Sequence, residues 1–162
     1  MPYDPHRHHR RSIRLKGYDY TAPGAYFVTI CVQGRACLFG AADRGGIALN
    51  DAGVMVQAEW LALPARFPTL RLDAFVVMPD HMHGIVVILE PRAGDVHLGD
   101  AVGAFKSLST NAYICGVRQH SWPPFGRRLW QRNYYEHVVR DEAALNRIRS
   151  YIVANPARWA GA

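Results

Sequence analysis

His81-Met82-His83 sets two imidazoles two residues apart. Side chains on an extended strand alternate between its faces, so both rings project from one face and can grip one cation between them. Eight histidines in 162 residues will sometimes fall two apart by chance, and rings that merely cap a hairpin are the plain structural explanation. The apolar run that follows, Gly84 to Leu89, favours a site: two polar rings then stand where a buried sheet meets a cleft. Tyr151 and Asn155 in SYIVANP lie four apart, share one helix face, and adjoin the Leu145-Ile148-Ile152 stripe. Singly, Asn155 before Pro156 is an ordinary helix stop and Tyr151 a boundary tyrosine. In combination they suggest nucleophilic chemistry. A tyrosine hydroxyl, with a free pKa of about 10, attacks poorly at neutral pH unless a positive centre polarises the electrophile. Two neutral imidazoles and the Asn155 amide oxygen form a three-ligand set with open positions. That set suits Mg²⁺ or Mn²⁺ shared with a phosphate, acting as a Lewis acid, better than a closed zinc site.

Elements that would position these groups follow from patterning. Ala25 to Val32 (AYFVTICV) is rich in aromatic and β-branched residues and reads as a strand. Asn50 or Asp51 caps a helix over about 51–63, stopped by Pro64 and Pro68. Leu72 to Met78 and His83 to Leu89, separated by Pro79-Asp80, read as a hairpin. Gly94 to Gly103 is expected to be a loop. Phe105, Leu108, Ala112 and Ile114 then mark a second helix over 104–117, and Leu129 to Tyr135 a short fourth strand. Asp141 caps a third helix that runs to Asn155 and ends at Pro156. The order β-α-β-β-α-β-α predicts an α+β class: one antiparallel sheet with helices packed on one face.

The chain has 49% hydrophobic residues and the length of one compact domain. We divide it into a basic N-terminal arm, residues 1–20, and a single domain, residues 21–162. Lys and Arg outnumber Asp and Glu by 19 to 13, a net charge of +6 that points to a polyanionic partner. No apolar run approaches a spanning helix, and three cysteines without a C-x-x-C pair fit a reducing cytoplasm. Trp130, Tyr134 and Tyr135 interleave with Arg127, Arg128, Gln131 and Arg132, the mixture that single-stranded DNA binding uses for stacking and phosphate contact. Arg14 and Lys16 in the arm and Lys106 in the second helix extend this basic set, which a solvated face with buried aromatics would also explain. Tyr134 and Tyr135 rival Tyr151 as nucleophile, with Tyr151 preferred.

Four blocks in order carry a family resemblance: RRSIRLKGYDYTAPGAYFVTICVQ, FVVMPDHMHGIVV, GAFKS, and LWQRNYYEHVVRDEAALNRIRSYIVANPARW. With them the chain resembles the REP-associated tyrosine transposases, a branch of the single-strand transposases of the HUH class. The resemblance implies a ferredoxin-like fold, His81 and His83 as the metal pair, Asn155 as third ligand where distant relatives carry Gln, and Tyr151 as nucleophile. It implies a metal-dependent strand transferase that cleaves and rejoins single-stranded DNA at hairpins of repetitive extragenic palindromes, through a 5′-phosphotyrosine, in the bacterial cytoplasm at the nucleoid. His137 in YYEHVVR matches a recurring family position without an assigned role. Two other readings compete: a non-catalytic DNA-binding protein that retains the fold, and a hydrolytic metalloenzyme using His81, His83 and either His137 or His120. The last needs a carboxylate base, and Asp80 is expected to face away from the histidines.

Overall fold

The computed structural model describes residues 23–89 and 97–160. The expected basic arm, with Arg14 and Lys16, lies outside the described residues. The main sheet is built from β1 (Gly24–Cys31), β4 (Leu70–Val77), β5 (His81–Ile88) and β6 (Tyr135–Val139) in the order β4-β5-β1-β6, antiparallel throughout. Around it stand a two-stranded hairpin, β2 (Gly40–Asp43) and β3 (Gly46–Leu49), and the helices α1 (Asp51–Leu61), α2 (Leu63–Arg66), α3 (Leu98–His120) and α4 (Glu142–Ala160). The α+β class and antiparallel sheet are those expected.

Several boundaries differ for physical reasons. Pro64 does not simply stop a helix: it occupies the first turn of α2, where its missing N–H costs nothing. Within the stretch expected to be a loop, α3 already begins at Leu98, well before Phe105: His97 Nδ1 accepts the Gly99 N–H at 2.9 Å and caps it. Residues 129–134 are not the fourth strand. Trp130 forms only an isolated bridge to Val32, and the strand begins at Tyr135. α4 continues through Pro156 to Ala160. Proline removes one backbone donor and strains one turn; beyond it, Trp159 packs on His81 with ring centroids 5.8 Å apart.

The helices do not share one face. In register, Tyr26, Val28 and Ile30 of β1 oppose Val86, Gly84 and Met82 of β5, and this side is sealed by α1 and α3. Trp60 of α1 meets Phe105 of α3 edge to face at 5.3 Å, and Gly84 admits the Trp60 ring because any Cβ would lie 2.5 Å from its Cζ2. The alternate residues Phe27, Thr29, His81 and His83 project from the other face, where α4 packs through Tyr151 and Trp159. α4 is capped by Asp141, whose Oδ1 accepts the Ala144 N–H at 2.7 Å. The helix is also tied to the β4 edge. Arg149 donates from Nε and Nη2 to the Asp73 carboxylate at 2.8 and 2.6 Å, and Asp73 sits where the β4–β5 register shifts between Leu72 and Phe75.

Candidate metal and nucleophile centre

His81 opens β5 and His83 follows two residues on, so the strand's alternation brings both rings to the α4 face, each 6% exposed. Their Nε2 atoms lie 3.2 Å apart. Both Nδ1 atoms are occupied: that of His81 lies 2.6 Å from Asp80 Oδ1, and that of His83 2.8 Å from Thr29 Oγ1 on β1. Both Nε2 atoms therefore converge on one point. Two ligands at ~2.1 Å on adjacent octahedral positions would stand ~3 Å apart, so the pair fits a shared divalent cation. Burial foremost, then the neighbouring His81 and Arg35, pushes the His83 pKa down to about 4. Burial also lowers that of His81, against the opposing pull of Asp80. Neutral rings are the form that ligates metal.

Tyr151, Asn155 and Trp159 recur at intervals of four and form one stripe along α4. Its first ring meets His83 at 5.4 Å and its last meets His81 at 5.8 Å. Asn155 lies between them on the same stripe and is 8% exposed. Among the described residues there is no group of three His, Cys, Asp or Glu able to hold a metal. Tyr151 is 38% exposed, packs edge-on against Phe27 at 6.2 Å, and has the Arg158 guanidinium 5.5 Å from its ring centre. Its ring is held while part of the residue stays open to solvent.

The expectation that Asp80 faces away is overturned. Asp80 precedes the strand, in the turn closed by the Met78 N–H donating to the His81 carbonyl at 2.8 Å, so period-two alternation does not govern it. Its carboxylate is committed to His81 and Arg35, not to an open position. His137 does lie on the site face, opposite Phe27 in the β1–β6 pairing, and is exposed. His120 ends α3 beside Trp122, in the helical layer on the other side of the sheet. Thr29, Phe27, Arg35 and Trp159 were missed. Only Trp159 carried a sequence signal, its spacing of eight from Tyr151.

The basic-aromatic segment divides. Trp130 is 3% exposed and donates its indole N–H to Ser109 Oγ at 2.8 Å, and Tyr134 is also buried, so neither presents a stacking face. Tyr135, 59% exposed, does. Lys106 donates to the carbonyls of Gln131 and Arg132 at 2.8 and 3.1 Å, fastening the segment to α3, while Gln131 Nε2 donates to the Val32 carbonyl. Arg127, Arg128 and Arg132 are exposed and help line an open groove of about 490 Å³ against α3. The segment runs beside the end of β1, where the Gln131 N–H donates to the Cys31 carbonyl, and Cys31 is the register partner of His81. No described helix is long and apolar enough to cross a membrane.

No family model matches the chain. It is 40% identical to an uncharacterised protein of Haemophilus influenzae over 97% of this chain and 93% of the relative. A second Haemophilus influenzae protein, named "Putative REP-associated tyrosine transposase", is 26% identical over 86% of this chain and 74% of its own. Among solved structures, the REP-associated tyrosine transposase bound to a REP hairpin superposes with a TM-score of 0.64 at 23% identity, over 90% of this chain and 73% of that one. In sequence and in fold the chain is thus similar to the REP-associated tyrosine transposases.

Proposed function

We propose that the protein is a divalent-metal-dependent strand transferase acting on single-stranded DNA at palindromic hairpins. The observation that carries this is the Tyr151-Asn155-Trp159 stripe laid across the converging His81 and His83 nitrogens. The hairpin substrate is taken from the related transposase, whose structure holds a REP hairpin. His81 Nε2, His83 Nε2 and the Asn155 amide oxygen would hold Mg²⁺ or Mn²⁺, which when bound polarises the scissile phosphate and offsets its charge. The Tyr151 oxygen attacks phosphorus and gives up its proton. The bond to O3′ breaks, O3′ takes a proton, and the 5′ phosphate remains joined to the tyrosine. Reversal by a 3′-hydroxyl re-forms the strand without ATP, because the phosphotyrosine conserves the bond. Arg127, Arg128, Arg132 and Tyr135 supply phosphate and stacking contacts at the sheet end nearest His81.

The test uses hairpin DNA labelled on the 3′ side of the cut, with Mg²⁺ or Mn²⁺. Wild type should give a protein-DNA adduct that survives denaturation, and Tyr135→Phe should retain it. Tyr151→Phe, which keeps the ring and so the packing on His83, should give none. An adduct with Tyr151→Phe would refute the nucleophile assignment. Hairpin binding with no adduct from any variant would instead favour a non-catalytic DNA-binding protein.

A further inference from the structure

Behind His81 stands a chain of hydrogen bonds that the transfer reaction does not itself use. Arg35 donates from Nε to Asp80 Oδ2 at 2.9 Å and from Nη2 to Oδ1 at 3.4 Å, and Oδ1 lies 2.6 Å from His81 Nδ1. The third fork of the guanidinium, Nη1, points to Cys31 Sγ at 3.0 Å. The geometry is fixed from both ends. The Asp80 carbonyl accepts the Val32 N–H at 2.9 Å, and Pro79 accepts that of Phe39 at 3.0 Å, so the turn before β5 is sewn to the segment after β1. Arg35 closes a tight turn, Gln33–Arg35, with its own backbone at φ 56° after Gly34 at φ 68°. A left-handed conformation is costly for an arginine and persists where the surroundings enforce it.

The two histidines are held differently. A carboxylate only accepts, so Asp80 requires His81 to carry its proton on Nδ1, which leaves a lone pair on Nε2. A threonine hydroxyl both donates and accepts, so Thr29 allows either tautomer of His83. With 3.2 Å between the two Nε2 atoms and a lone pair on His81, the metal-free pair is satisfied when His83 Nε2–H donates to His81 and Thr29 donates to His83 Nδ1. Ligation by His83 then requires its proton to move to Nδ1, where Thr29 becomes the acceptor.

We propose that Arg35 and Asp80 are positioning residues that lock His81 in its ligating tautomer, leaving His83, on Thr29, as the ring that switches when a divalent cation enters. The metal part of this inference rests on the reading given under Proposed function; the lock itself is a property of the metal-free protein.

Two measurements separate them. Nitrogen-15 NMR of the imidazoles in the metal-free protein should show His81 protonated at Nδ1 alone and His83 predominantly at Nε2, with His83 exchanging to Nδ1 on addition of Mg²⁺. Asp80→Ala should convert His81 to a mixture of tautomers and weaken Mn²⁺ binding, followed by electron paramagnetic resonance, by about 10- to 100-fold. Arg35→Gln, at a half-exposed side chain that places less of the fold at risk, should move both readouts in the same direction by less, and Arg35→Lys should restore part of the effect. Unchanged His81 tautomer signals in Arg35→Gln and in folded Asp80→Ala would overturn the lock, whatever the metal does. A wild type that shows the locked tautomer yet binds no Mn²⁺ would leave the lock standing and refute the metal reading.

Discussion

Gly84→Ala tests the packing that holds the histidine strand against the helical layer. An added Cβ would lie 2.5 Å from Trp60 Cζ2 and 3.1 Å from Cε2. Carbon atoms rest at about 3.5–4.0 Å, so the ring or the strand must yield by about 1 Å. Trp60 has no exposed surface and abuts Phe105, which closes the easy way out. Overpacking of this kind costs about 1–3 kcal/mol, read as a lower urea midpoint at unchanged slope. Displacement of β5 away from Trp60 also shifts His83, the adjacent residue on the opposite face, so Mn²⁺ affinity should fall with stability. Trp60→Phe supplies the control. It removes the clashing atoms, and the indole N–H it deletes has no hydrogen-bond partner among the described residues. In that background Gly84→Ala should cost less, giving a coupling of about 1 kcal/mol or more. A cost below about 0.5 kcal/mol in the wild type, or the same cost in both backgrounds, would refute the steric reasoning.

The metal-free protein should lose stability as pH falls from 6.5 toward 4. His83 is neutral in the fold down to about 4, whereas its unfolded ring titrates near 6.5, so within that window the unfolded chain binds the extra proton; the loss amounts to ~3 kcal/mol. Burial of His81 acts in the same direction, and urea midpoints that agree at pH 7.5 and 4.5 would contradict both. Arg149→Met deletes the two-pronged pair with Asp73 and loosens the seat of α4 on the β4 edge. Adduct formation through Tyr151 should slow by roughly 3- to 100-fold, the scale on which misplacing a reacting group acts. A rate equal to wild type in a folded variant would show that α4 is seated without this pair.

The histidine pair, three of the four strands of the main sheet and the spacing of Tyr151 and Asn155 could be read from periodicity because each depends on local geometry. What escaped depends on neighbours distant in the chain. The β2–β3 hairpin has little apolar patterning, and its Asp43-Arg44-Gly45-Gly46 stretch resembles any loop. Trp130 looked like a stacking platform because sequence shows its arginine neighbours and hides Ser109 and Phe39, which enclose it. Pro156 suggested a stop because proline's local cost is visible while the contact of Trp159 with His81 is not. Arg35 and Asp80 are separated by 45 positions, and nothing in either stretch announces the other.

The interleaving of two faces along β1 and β5 gives each strand two vocabularies in one text. Odd positions such as Phe27, Thr29, His81 and His83 spell the reactive surface, while the even positions Val28, Ile30, Met82 and Gly84 spell the interior. Substitutions can edit one message and spare the other, so tolerance along these strands should alternate residue by residue. Deleting one residue between His81 and Gly84 would transpose the two, turning imidazole inward against Trp60 and aliphatic side chains outward beneath Tyr151. In such a strand the spacing of letters is under tighter constraint than the letters themselves.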